Sequence, residues 1–302
     1  LTVDGPAPIL IGVERAGKGD KPMGFERVQL GRTGLSVSPI GLASSYGTNE
    51  AMVEAAVDQG VNYLYWGALR TKRMARGIRS AARSKRDDLV IVAHTTARSP
   101  SGLSKMVETS LRQLGVDFFE VLLLGWHNRR PDPRLTDHAL KLRDQGRFRF
   151  LAVSGHNRRL FPELEKDRQV DIFHIRYNAA HRGAEKEILD HLPERDGPGV
   201  VSFTNTRWGS LLKSANMPPG EPAPSAADCY RFVLAHPKVH VAVCGPNSME
   251  QLKEDLEALD LGPMSEKELD RMRRIGDHVY TSVSLLRAQL SGIMTIRLWS
   301  SG

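Results

Sequence analysis

Apolar residues in this chain fall into two kinds of run that alternate from end to end. One kind is short and nearly continuous: 39–44 (PIGLAS), 61–66 (VNYLYW), 88–94 (DLVIVAH), 118–125 (FFEVLLLG), 148–154 (FRFLAVS), 171–176 (DIFHIR), 199–204 (GVVSFT) and 239–244 (VHVAVC). The other kind repeats every three or four positions, as in Val53/Ala56/Val57, Leu103/Val107/Leu111/Leu114 and Leu252/Leu256/Leu259. Continuous apolar runs are strands buried on both faces, and three-to-four spacing is one face of a helix. Eight such strands with helices between them predict an α/β fold closed into a (β/α)8 TIM barrel. An open doubly wound sheet is the fallback, and it lacks the G-x-G-x-x-G turn expected after its first strand. Ahead of the first unit, FERVQLGRTGLSVSPI reads as a β-hairpin turning on Gly31–Gly34, and Ser248/Gln251 and Ser265/Glu268 have capping-box spacing.

At 302 residues with 40% hydrophobic and 25% charged positions, the chain suits one barrel domain over 25–302 with a C-terminal helical extension. Residues 1–24 read as a flexible arm with neither a basic leader nor a long apolar core. Within the arm, GVERAGKG (12–19) imitates a phosphate loop, but Gly19 stands where a Mg²⁺-binding hydroxyl is required. No run of 18 apolar residues is present, so no membrane span is expected. Two cysteines, Cys229 and Cys244, cannot make a disulfide framework, which fits a cytoplasmic protein. The net charge of +7 is concentrated in a stripe of Lys72, Arg76, Arg79, Arg83 and Arg86. That stripe reads as the solvated face of a helix rather than a nucleic-acid surface.

Barrels of this type gather chemistry at the C-terminal ends of their strands. The residues there are Ser44 and Tyr46; Tyr65, Trp66 and Arg70; His94 and Thr95; Gly125, Trp126 and His127; Ser154 and His156; His174, Tyr177 and Asn178; Thr204, Asn205 and Arg207; Gly245, Asn247 and Ser248. Four histidines in this set raise a metal reading, but no H-x-H or H-x-x-x-H pair fixes their spacing and no carboxylate accompanies them. They read as hydrogen-bonding groups, and no metal is assigned.

With these positions in view, the chain resembles the aldo-keto reductases from about residue 25 to about 260. FERVQLGRTGLSVSPIGLAS is similar to that family's opening hairpin and first strand. SLRQLGVDFFEVLLLGWH, RFRFLAVSG, IFHIRYN and VCGPNSMEQLKEDLEAL follow in the family's order and spacing. The resemblance implies a barrel that binds NADP(H) extended and reduces carbonyls through an Asp, Tyr, Lys and His tetrad. The tetrad itself is replaced. YWGALR stands for D-T-A-x-x-Y and puts Tyr65 for Asp and Arg70 for Tyr; His94, or Thr95 if the alignment slips by one, stands for Lys, and Gly125 for His, with Trp126 and His127 beyond. Loss of the proton-donating Tyr alone removes a general acid worth about 10²–10⁴ in rate.

The implied cofactor groove is partly kept. Ser154, His174 and Phe203 fall at the nicotinamide positions, and Gly245, Asn247, Ser248 and Gln251 at the adenosine-phosphate end. Gly155 and His174 replace the family's Asn and Gln, no Arg or Lys accompanies Ser248, and Asp255 stands for an Asn, which weakens the site. The expected function is therefore acid/base chemistry on a small polar or anionic carbonyl compound, with or without NADP(H). Tyr65 and His94 would share a hydrogen bond and move protons, helped by His127; Arg70 would hold the anion. Gly125 would leave space at the centre, and Tyr46, Trp66, Trp126 and His156 would line the pocket. The alternatives are a cofactor-free lyase or isomerase using the same residues, and a non-catalytic nucleotide-binding regulatory or scaffold protein.

Overall fold

The computed structural model describes residues 24–67 and 72–299, with side chains described up to Ser282. The arm, the false phosphate loop and Arg70 therefore lie outside the described residues, apart from Gly24. A two-stranded antiparallel hairpin, β1 (Val28–Gln29) and β2 (Ser36–Val37), comes first. Eight parallel strands then close a barrel: β3 (Ile40–Ala43), β4 (Tyr63–Gly67), β5 (Val90–Thr95), β6 (Phe119–Leu124), β7 (Phe148–Gly155), β8 (Ile172–Arg176), β9 (Gly199–Phe203) and β10 (Val241–Cys244). Each strand pairs with the next in sequence, and β10 pairs with β3 to complete the ring.

The helices are α1 (Glu50–Asp58), α2 (Lys72–Lys85), α3 (Pro100–Leu114), α4 (Pro133–Asp144), α5 (Leu160–Glu165), α6 (Gly183–Glu187), α7 (Ala226–Leu234), α8 (Met249–Leu261) and α9 (Glu266–Trp299). Their apolar faces pack on the outside of the sheet, so each strand is buried on both sides as its continuous hydrophobicity requires. The barrel interior holds a separate cluster of Tyr63, Val92, Val121, Leu123, Ile172 and Val201, closed from below by Leu30 and Val37 of the hairpin. Gly31 makes that closure fit: a Cβ there would lie 2.4 Å from the nitrogen of Gly199. Arg32 ties the hairpin down with two hydrogen bonds, of 2.7 and 2.5 Å, to the Glu165 carboxylate.

Helix α2 carries the basic stripe on its outer face and buries Met74, Ala75, Ile78 and Ala81. Arg76 pairs with Glu50 on α1, and Arg79 donates to the carbonyl of Gln113 at the end of α3. Arg86, just past α2, pairs with Glu120 on β6. Three of the five stripe cations thus latch neighbouring elements together. The start of α9 has the expected box, with Ser265 and Glu268 exchanging bonds. The helix then runs to the loops that follow β8 and β9: Arg182 pairs with Asp277, and Arg207 donates to the Val279 carbonyl at 2.5 Å. The first half of α9 is thereby fixed beside the barrel mouth. Of the SVSLL segment beginning at Ser282, side chains from Val283 onward lie outside the described residues.

Candidate active site

Strand β4 sets the centre of the site by its pleat. Tyr63 and Tyr65 are two residues apart, so both rings enter the barrel. Trp66 faces the other way and is 2% exposed among the helices. Its expected place in the pocket is corrected by strand parity, because Tyr65 takes the inward position beside it.

Tyr65 stacks on His94 from β5, with ring centroids 5.8 Å apart and planes at 28°. The expected hydrogen bond between them gives way to this face-to-face contact. On its other side Tyr65 meets His174 from β8 at 5.7 Å. His174 is 1% exposed, and its Nε2 is 2.8 Å from the hydroxyl of Tyr63. His94 meets the exposed indole of Trp126 edge-on at 5.6 Å. Five rings thus run without a break from solvent to the barrel interior: Trp126, His94, Tyr65, His174, Tyr63.

The space expected above Gly125 is filled. A Cβ at Gly125 would lie 1.8 Å from His94 Nε2, so the imidazole occupies the volume that the missing side chain frees. That Nε2 is buried without a hydrogen-bond partner, as is Nε2 of His127. His127 donates its backbone N–H to the Ser154 carbonyl at 2.7 Å, and Ser154 Oγ accepts from the N–H of Trp126 at 3.2 Å. His156 is exposed, and its ring stands edge-on to Phe203 at 5.7 Å. His94 and His174 therefore share Tyr65 between them, while His156 turns to Phe203.

Electrostatics keep these rings neutral near pH 7. Burial lowers His94 to about 4, and the charge of Arg98 adds to the effect. The same two causes lower His127 to about 4. Burial takes His174 to about 3, with His94 as the second cause. Burial raises the Tyr65 phenol well beyond the usual tyrosine range, so it stays a hydrogen-bond donor. His156 is lowered by partial burial and then by Arg176.

Two arginines belong to the site that reading strand ends did not single out. Arg98 follows β5 and donates to the carbonyls of Thr96, Ala97, Gly125 and Trp126, clamping the ends of β5 and β6. Arg176 ends β8 beside Phe203 in the ladder. Its place at the end of a predicted strand was a usable signal; that of Arg98, three residues beyond its strand, was not.

Backbone strain gathers at the same face. Of the six non-glycine residues with positive φ among the described residues, Trp126 (59°), Thr204 (58°), Arg207 (52°) and Trp208 (52°) lie in the loops after β6 and β9. Bulky residues leave this region empty unless their surroundings hold them there.

The groove that would take a nucleotide is largely spoken for by the chain itself. Ser248 caps α8 through Gln251 N–H at 3.2 Å, and Gln251 Oε1 accepts the N–H of Asn247 at 3.0 Å. Glu250 places a carboxylate in the first turn of α8, where a phosphate would sit. Tyr46 packs over Gly245, where a Cβ would meet its ring at 3.0 Å. Asp255 is turned inward, buried with Tyr230 and Cys244, and offers nothing to the groove. At the other end Ser154 Oγ is engaged by Trp126, and His174 is spent on Tyr63. Residues 245–252 contain no cation. Internal partners thus engage several of the positions that the resemblance gave to NADP(H).

Comparison with known proteins places the chain beside this geometry. The sequence model of the aldo/keto reductase family matches residues 33–228. Among solved structures, the aldo-keto reductase AKR11C1 from Bacillus halodurans superposes with a TM-score of 0.68 in its apo form, at 20% identity over 83% of this chain and 95% of that one. Its holo form gives 0.69, again at 20% identity and over 83% of this chain, and 96% of that one. The thermostable aldo-keto reductase Tm1743, solved with the inhibitor epalrestat, gives 0.66 at 21% identity over 83% of this chain and 100% of that one. Among curated proteins none matches the sequence.

Proposed function

Because this chain belongs to the aldo/keto reductase family, its barrel mouth is where a carbonyl substrate would sit, and we propose that the site there has been rebuilt for cofactor-free proton transfer on a small polar or anionic carbonyl compound. The observation that carries this reading is Tyr65. Its phenol enters the mouth between two neutral imidazoles, and among the described residues its hydroxyl has no hydrogen-bond partner. A phenol kept protonated by burial donates to a carbonyl oxygen and stabilises the negative charge that grows there when an α-proton leaves. His156, exposed at the mouth and neutral at pH 7, is the base assigned to that proton. His94 and His174 hold the Tyr65 ring in place and exclude water from its faces. The groove argues against a reductase of the usual kind, since its donors and helix N-terminus are satisfied internally.

The test is solvent exchange. Wild-type protein in D₂O should speed loss of the α-proton signal of 2-oxo acids in ¹H NMR, and Tyr65→Phe should slow it by about 10²-fold or more. NADPH and NADH should leave tryptophan fluorescence unchanged up to millimolar concentration. Saturable micromolar quenching by either would return the chain to hydride transfer. A non-catalytic binding protein is favoured by one fact: His94 and Tyr65 are both shifted away from neutrality, where neither exchanges protons readily. Absence of exchange with intact ligand binding would select that reading.

A further inference from the structure

We propose that Arg176 is the anion-binding residue of the barrel mouth and that it takes the carboxylate of a ligand with a flat, aromatic body. This deepens the reading above and rests on it for the position of the site, not for the chemistry done there.

Arg176 stands two residues beyond His174 on the inward face of β8, next to Phe203 on β9. It is half-buried, and among the described residues it forms no hydrogen bond or ion pair. A half-buried guanidinium that no described acceptor engages keeps its donors available to an incoming anion. Its neighbours supply none. Arg158 is the cation whose charge acts on it, and Arg158 is committed to Glu187 at 2.5 Å. Burial and Arg158 together depress the Arg176 guanidinium, as expected of a cation facing another cation. Across the mouth, Arg98 spends its donors on four neutral carbonyls, which leaves its charge uncancelled. None of the strand-top residues carries a carboxylate. The field at the mouth therefore attracts an anion, and the planar guanidinium fork matches a carboxylate.

The flat body follows from the rim. Trp126 (58% exposed), Tyr46 (57%), Trp208 (54%) and Tyr280 (52%) are four of the most exposed large apolar side chains. They come from the loops after β6, β3 and β9 and from α9, all around one opening. Both tryptophans are held at positive φ, a conformation that their surroundings must impose. Exposed rings at the same barrel mouth as a cation favour a planar anion over an aliphatic one.

Calorimetric titration with benzoate, acetate, benzamide and inorganic phosphate tests this directly. Benzoate should bind, acetate more weakly, and the neutral benzamide at least about tenfold more weakly, since a charge-assisted pair is lost. Arg176→Gln should weaken benzoate at least tenfold, with Arg176→Lys in between because it keeps charge without the fork. Thermal melts of both variants establish that they fold. Equal binding of benzoate and benzamide, equal binding by Arg176→Gln, or tighter binding of phosphate than of benzoate would each overturn the assignment. The outcome is independent of turnover: benzoate binding without α-proton exchange leaves this site standing and removes the catalytic reading.

Discussion

His94 sits in the volume that a side chain at position 125 would need, with Nε2 1.8 Å from where a Cβ on Gly125 would be. Two positions on neighbouring strands are thus sterically coupled: the ring of one occupies the space that a side chain at the other would need. Gly125→Ala should displace the imidazole, break its contacts with Tyr65 and Trp126, and destabilise the fold by about 1–3 kcal/mol through overpacking. Combining it with His94→Ala should recover most of that loss, which urea unfolding of the single and double variants would measure. Additive losses would show that the two sites are independent.

The Tyr63–His174 bond is the buried end of the ring series. Tyr63→Phe leaves His174 Nε2 without its partner in a fully enclosed place and should destabilise by about 1–3 kcal/mol. The same titration should show an unchanged unfolding slope with denaturant, since the exposed area on unfolding is the same.

Acid should weaken the protein through its buried imidazoles. His174 is held at about 3 and His94 at about 4 in the fold, against 6.5 when exposed. A lowered folded value means that their contribution is complete above pH 6.5 and is lost as the pH falls toward 4 and 3. Each group then removes about 1.4 kcal/mol per pH unit across its window. Urea midpoints at pH 7.5, 5.5 and 4.5 should fall progressively, and less steeply in His174→Gln.

Asp255 acts with the opposite sign. Burial raises it from 3.8 to about 7, beside the Tyr230 hydroxyl and the Cys244 thiol that face its carboxyl. A raised folded value favours the fold fully below pH 3.8 and loses that benefit as the pH climbs through 7. Asp255→Asn keeps an acceptor without the charge and should raise stability at pH 8 by about 2–4 kcal/mol, with little change at pH 4. Melting curves at the two pH values would decide it.

At the barrel floor, Arg32 and Glu165 are 8% and 11% exposed as a pair. Glu165→Ala strands a buried guanidinium and should reduce stability by about 3–5 kcal/mol, whereas replacing both by apolar residues should restore most of it. Chemical unfolding distinguishes the two outcomes.

All eight barrel strands were legible, because each is a continuous apolar run between polar boundaries. Edges moved where a polar residue took a structural task. The run at 61–66 becomes a strand only at Tyr63, since Asn62 turns to bond Ser38, Ser36 and the Asp88 carbonyl. The hairpin on Gly31–Gly34 and the box at Ser265 were local signals and appear in place, whereas at Ser248 only the cap forms, because the Gln251 side chain accepts from Asn247 instead of from Ser248. The site was read less completely. Tyr65, His94 and Trp126 do meet, but YLYW has aromatics on both faces, and strand parity sent Trp66 outward. Tyr63, mid-strand and apolar in pattern, gave no sign of its bond to His174.

Local chemistry along the chain was enough to set the alternation of strands and helices and the closure that eight such units favour. Periodicity and residue type are properties of neighbours in sequence, and these features depend on little else. Which rings stack, which hydroxyl finds a partner, and where an uncancelled charge stands depend on register between strands far apart in the chain, as Tyr63 and His174 are, 111 residues apart. Those contacts arise only when the barrel closes, and so the tertiary structure alone decided that His94 would fill the space beside Gly125 and that Arg176 would have no counter-ion among the described residues.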